Sequence, residues 1–331
     1  MGVLTRRVSS QNLAVIALIA VLVLVMHTMF PLFLSPLNVE SIAMAFIFEG
    51  IIALGMTFVI ITGGIDLSVC SMLPFAEIIC AKLMTQAGMP VWAAVVLTLL
   101  LGALVGAANG VMIKLLNIHP MIITMATMLI LRGTNLAITN GKAIAGFSDG
   151  FLTLGQGKLF GINIPVIYFV VVAVILSLLL NNHKYFRQIY FIGNNEKAAT
   201  LSGIDVVKVK IFFYMLCSVI AASAGILAAS KYGAAHWVHG NGSEVKAISA
   251  VAIGGASLAG GSGRIGSTVI GIIFLAVINN AFVMSGMNTF WFDVVNGTML
   301  IAAIMISYYA TYRNEKRLLK VKYEKLLGSG E

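Results

Sequence analysis

Apolar runs of about twenty residues recur along this chain of 331 residues from Leu13 onward, and that one feature excludes most folds. A helix needs about 20 apolar residues to cross a bilayer. Only helices and closed barrels satisfy every backbone polar group there. The runs are long and lack strict two-residue alternation, so the expected fold is all-α: a polytopic integral membrane bundle, not a barrel. Only 10% of the residues are charged, against about 25% in a soluble domain.

The runs predict about ten spans, at 13–34, 41–62, 68–86, 90–114, 121–139, 164–181, 210–231, 246–259, 266–286 and 291–311. The third and eighth each abut a glycine-rich break and are candidates for re-entrant or broken segments. No boundary to a soluble domain is visible. The expected organisation is one membrane domain over 1–331: a bundle at 13–312, a polar loop at 182–209 and a basic tail at 313–331.

The net charge of +9 invites a nucleic-acid reading, but its placement argues for membrane topology. Arg6 and Arg7 precede the first span, and six basic residues from Arg313 to Lys325 follow the last. Lys184, Arg187, Lys197, Lys208 and Lys210 share the central loop. With both termini inside, 15 basic residues lie inside and 5 outside, leaving Arg132 within a span. No base-reading motif accompanies these charges, so nucleic acid is not an expected partner. The first apolar run is too long for the core of a signal peptide and no A-x-A cleavage site follows it.

Cys70, Cys80 and Cys217 lie in apolar stretches without paired spacing, which argues against disulfides or zinc. Gly102, Gly106 and Gly110 fall on one helical face, as do Ala221, Gly225 and Ala229. Such faces let helix backbones approach closely in lipid.

Two glycine-rich interruptions stand out. In the first, an apolar run meets Gly63 and Gly64, then Asp66 and Ser68. An acid near the bilayer centre costs about 2.5–3.5 kcal/mol on insertion scales. Asp66 therefore needs a polar cavity, a partner or a helix end, where it would accept from the amides at 68 and 69. The second, 253–264, holds five glycines and two serines that cannot face lipid with unpaired backbone. Paired breaks in opposite halves of a chain point to a midplane site in repeat-built transporters.

Enzyme motifs fall away on inspection. Gly255 to Ser262 spaces like a phosphate-binding loop, but Gly261 stands where the lysine should be. Gly260-Gly261-Ser262-Gly263 resembles a protease G-x-S-G, yet no histidine follows Ser262 to serve as base. No catalytic residue and no metal site is expected. His236 and His239 flank Trp237 in an outer loop, and Glu49, Glu77 and Asp293 are isolated acids in the sequence. A proton-coupled carrier usually shows a relay instead.

The inner loop at 193–204 reads as a short helix. Asn195 can cap it, Glu196 sits in its first turn, Ala198 and Ala199 propagate it and Gly203 ends it. A small-residue helix between two spans on the cytoplasmic side can dock into a groove on a partner.

Four segments then resemble the ribose-type branch of ABC import permeases, which serve monosaccharides and, in some members, autoinducer-2. They are ALGMTFVIITGGIDLSVCS (53–71), NGVMIKLLNIHPMIITMATMLILRG (109–133), GNNEKAATLSGI (193–204) and EVKAISAVAIGGASLAGGSGRIGST (244–268), with Asn279, Asn280 and Gly286 besides. The resemblance implies a non-catalytic permease subunit in the bacterial inner membrane, with both termini cytoplasmic. It implies a second permease copy or paralogue, a periplasmic solute-binding protein and a cytoplasmic ATP-binding subunit. ATP and Mg would reside on that subunit, leaving no cofactor here. The substrate would be a sugar or similar small polyhydroxylated solute. Asn195, Glu196, Ala198, Ala199 and Gly203 would form the coupling helix. Gly63, Gly64, Asp66, Ser68, Asn109, Asn279 and Asn280 are the candidates for the pathway or bundle interior. The alternative is a self-contained secondary sugar transporter or channel. Two departures from the family pattern are Cys70, where a glycine is usual, and the stretch Trp237 to Gly242 before Glu244.

Overall fold

The computed structural model describes residues 10–288, 291–302 and 304–305. Arg6, Arg7, the tail at 313–331 and the end of the run at 291–311 lie outside the described residues.

The chain is helical, with strands of only two residues among the described residues. Helix α1 (Ser10–Met29) ends before a 3-10 turn at Pro31–Leu34. Helix α2 (Pro36–Ala45) starts with Pro36 at its first turn, and the Ser35 side chain accepts from the Asn38 amide. A proline there is pre-set for helix and lacks only a donor that would be orphaned anyway. Helix α3 (Ile47–Ile61) follows at a 43° bend, and all its residues except Glu49 are buried. Helices α4 (Val69–Thr85), α5 (Val91–Leu115) and α6 (Pro120–Thr139) come next. On the far side, α7 (Asp149–Gln156) and a small hairpin lead into α8 (Ile164–Asn182). Helices α9 (Lys184–Asn194) and α10 (Glu196–Leu201) fill the charged loop before α11 (Val206–Tyr232). Helices α12 (Ser243–Ile253) and α13 (Ile265–Met284) follow, and 291–302 is helical.

Six of these helices are long and apolar enough to cross a membrane, and the bent pair α2–α3 makes a seventh candidate. The expected spans at 68–86 and 246–259 come out shorter. Helix α4 has 17 residues and α12 has 11. Eleven residues rise only about 16 Å, short of an apolar core of about 30 Å. The reason is Gly254 and Gly255: the helix stops there and the glycine-rich segment continues as irregular backbone.

Helix α11 is the spine of the bundle, packed against α3, α4 and α5. The glycine ladder of α5 faces it. A Cβ on Gly106 would lie 2.5 Å from the Tyr214 carbonyl oxygen, and one on Gly110 would lie 2.6 Å from the Ile211 Cα. The small face of α11 turns instead to α4, where Gly225 sits against the Leu73 carbonyl. Cys70, Cys80 and Cys217 are buried free thiols. Exposed Leu, Ile and Val side chains cover α1, α5 and α8, as suits an outer ring of helices in lipid.

Candidate functional site

Asn195 is extended, and its side chain accepts from the Ala198 amide at 2.9 Å, so the six residues of α10 are capped at their start. Gly203 closes the other end at φ +83, a conformation costly for residues with a Cβ. Ala199 is buried, while Lys197, Ala198, Leu201 and Gly203 are exposed. The Glu196 carboxylate is shared: one oxygen pairs with Lys114 at the end of α5, the other with Lys210 in α11 at 2.6 Å. Partial burial pushes the Glu196 carboxyl up, but hydrogen bonds from Lys114 and Lys210 outweigh this and leave it below its ordinary value. The short helix is thus an anchored element with one free face, not a solvated turn.

Helix α9, which precedes it, has no counterpart in the sequence reading. Phe186, Ile189 and Ile192 are its buried residues, spaced three apart on one face. Phe186 packs edge-on against Phe58 of α3 and Phe213 of α11. The 3-residue spacing was the signal available for it.

The end of α9 meets both glycine breaks. Tyr190 donates to the Gly263 carbonyl at 2.8 Å, and Asn194 to the Gly261 carbonyl at 3.3 Å. The Gly261 amide donates to the Ile61 carbonyl at 2.9 Å, at the end of α3. Gly193 fits between Ile61 and Gly261 only because it has no Cβ. A Cβ on Gly260 would come within 2.9 Å of Gly63. The two breaks therefore touch one another beneath α9, at helix ends.

Behind the first break lies a buried polar chain. One Asp66 oxygen accepts from the Ser68 amide at 3.0 Å and the Ser68 hydroxyl at 2.5 Å. The expected acceptance from the amide at 69 gives way to this hydroxyl. Asn109 of α5 donates to the Ser68 hydroxyl at 3.0 Å and accepts from Thr127 of α6 at 2.6 Å. Gly64 lies against the Tyr214 hydroxyl. Four of the candidate residues, Gly64, Asp66, Ser68 and Asn109, thus gather around the start of α4, with Gly63 beside the second break. Asn109 lies six residues from the end of α5, about 9 Å along the axis.

Asn279 and Asn280 belong elsewhere. Asn280 of α13 exchanges amide hydrogen bonds with Asn38 of α2, at 3.0 and 2.9 Å, and Asn279 is half-buried.

Two of the three acids that stand isolated in the sequence, Glu49 and Glu77, are paired in space, while Asp293 is exposed. Glu49 meets Lys246 at 3.2 Å. Glu77, fully buried in α4, accepts from the His236 amide at 3.1 Å and pairs with His239 at 2.7 Å. Burial lowers His239, but the adjacent Glu77 carboxylate outweighs it and holds the imidazole above its ordinary value. No sequence spacing connects residues 77 and 239. Gly240 in the same loop sits 2.5 Å, measured from an added Cβ, from the Cys70 carbonyl, so the two departures from the family pattern touch. Among the described residues no group of three acids, histidines or cysteines could hold a metal ion.

Residues 38–304 match the family described as branched-chain amino acid transport system / permease component. The ribose import permease protein of Bacillus subtilis (strain 168) is 38% identical over 288 residues, covering 86% of this chain and 89% of that protein. The ribose import permease protein of Escherichia coli (strain K12) is 37% identical over 298 residues, 88% of this chain and 92% of that one. The D-allose transport system permease protein of the same strain is 35% identical over 290 residues, 87% and 89% of the two chains. No solved structure matches the chain.

Proposed function

Because the chain belongs to the permease-component family of branched-chain amino acid transport systems, a family of transport subunits and not of enzymes, we propose that it is the membrane-spanning subunit of an ATP-driven sugar importer. The relatives named for ribose and D-allose support a monosaccharide or similar small polyhydroxylated solute as cargo. In this reading the permease has ten spans in the bacterial inner membrane with both termini cytoplasmic, and α12 with the segment at 254–264 forms one broken span. It pairs with a second permease copy or paralogue. It takes solute from a periplasmic binding protein and is driven by a cytoplasmic ATP-binding subunit that carries ATP and Mg.

The observation that carries the reading is the anchored helix α10. Asn195 shapes it, Glu196 ties it to α5 and α11, and Ala198 and Gly203 leave its outer face bare for the ATP-binding subunit. A push on α10 passes through α9 to Gly261, Ile61 and Gly63, and from there to the chain of Asp66, Ser68 and Asn109 that joins the start of α4 to α5 and α6. Binding energy and ATP turnover sit on partners, so this chain only moves.

The test is uptake of labelled ribose, allose and arabinose into vesicles holding the permease, its ATP-binding subunit and its binding protein. Uptake of one of these solutes, or of a related one, should require ATP and both partners. Uptake by the permease alone would overturn the reading in favour of a self-contained carrier.

A further inference from the structure

Next to α10 lies a second candidate contact surface. The turn joining α5 to α6 stands beside the coupling helix, and between them opens a cavity of about 640 Å³ lined by Lys114, Asn117, His119, Glu196, Lys197 and Lys210, among others. Its charge is one-sided. Lys114 and Lys210 share the single carboxylate of Glu196, and Lys197 has no ion-pair partner among the described residues. Next in the chain to its lining residues stand bare apolar side chains: Leu201 is 91% exposed, Leu115 76% and Leu116 58%. Leu201 belongs to the charged inner loop, outside every apolar run. Asn117 turns the chain at φ +52, a left-handed conformation that asparagine tolerates better than most residues with a Cβ. A cavity rich in cations, with exposed leucines on the same turn and helix, is the counterpart of a protein surface that presents a carboxylate among apolar groups.

We propose that the α5–α6 turn at 115–119 is a second docking element for the ATP-binding subunit, which places an acidic side chain in the cavity between this turn and α10. The proposal rests on the reading of α10 as the coupling helix and extends the contact to a segment that reading leaves out. Two elements reaching one partner would join the ends of α5, α6 and α11 to the same moving surface. The competing occupant is the anionic headgroup of a lipid, since the same cations would attract phosphate.

The test uses the full transporter in lipid nanodiscs, with a photo-activatable benzophenone amino acid at position 117 and, in a separate preparation, at 201. Cross-links to the ATP-binding subunit from both positions are the expected result. A cross-link from 201 alone would overturn the second docking element and leave the coupling helix intact. Cross-links from neither position would overturn both. Attachment of lipid at 117, with protein at 201, would replace the proposed occupant with a headgroup and overturn the proposal. As a second measurement, Lys197→Glu should weaken binding of the ATP-binding subunit about tenfold at low salt, with the difference shrinking at high salt. The control Lys184→Glu, an exposed charge on α9, should leave it unchanged. Equal effects of the two reversals would overturn the cavity as the site of the acid.

Discussion

The Gly261 amide hydrogen-bonds the Ile61 carbonyl at 2.9 Å, so the last turn of α3 is completed by a residue 200 positions away. A helix end leaves carbonyls without intrahelical donors. Here one is satisfied by the second glycine break, while Gly193 of α9 fills the remaining space.

Gly193→Val is therefore expected to push Ile61 and Gly261 apart. Overpacking of this kind costs about 1–3 kcal/mol. The melting temperature of the detergent-solubilised permease should fall, and uptake should fall further than the amount of inserted protein. A variant with wild-type uptake would show that the junction transmits nothing.

Glu196→Lys sets a third cation beside Lys114 and Lys210. The protein should insert at normal abundance while ATP hydrolysis proceeds without uptake, and Lys210→Glu added to it should restore part of the coupling. The pH dependence has a definite sign. The Glu196 carboxyl is depressed by its lysines, so its contribution is present above the ordinary carboxylate range and is lost only as pH falls through the lowered value. Coupling measured between about pH 6 and 8 should not vary through this group.

Asn109→Ala removes both the donor to Ser68 and the acceptor from Thr127. Each buried partner left unsatisfied costs about 1–3 kcal/mol. Chemical unfolding in detergent should show the loss, and transport should fall with it. Asp66→Asn keeps an acceptor for Ser68 but removes the charge. A reduction of transport at normal abundance is the expected result, and full activity would make the carboxylate dispensable.

His239 gives the opposite sign. Its folded value is raised by Glu77, so the stabilisation is complete below the ordinary histidine value and disappears as pH rises through the raised one. The protection of the amides at 236–242 against hydrogen exchange, taken relative to the intrinsic base-catalysed rate, should fall over that interval in the wild type. In His239→Gln the protection should be lower at acidic pH and flat across the same range.

What the sequence made legible follows from how local each signal is. The spans at 90–114, 121–139 and 164–181 agree with α5, α6 and α8 to within a few residues, because twenty apolar residues in a row have few alternatives. The short helix at 196–201 was legible from Asn195 and Gly203, since caps are local chemistry. Helix α9 was harder: its buried face is only Phe186, Ile189 and Ile192 in a charged setting. The pairing of Glu77 with His239 joins residues 162 apart, and no window of sequence contains both. The contact between the two glycine breaks is of the same kind. Each was visible as a break, but only the fold brings Gly63 to Gly260.

The glycine ladder of α5 limits how such a protein can work. Gly106 and Gly110 press the α5 backbone onto Tyr214 and Ile211 with no room for a methyl group, and interlocked backbones do not slide without separating. Helices α5 and α11 should therefore rock as one rigid plank. The hinges of any opening movement would then fall at its margins, such as the 43° joint between α2 and α3 or the irregular backbone after α12.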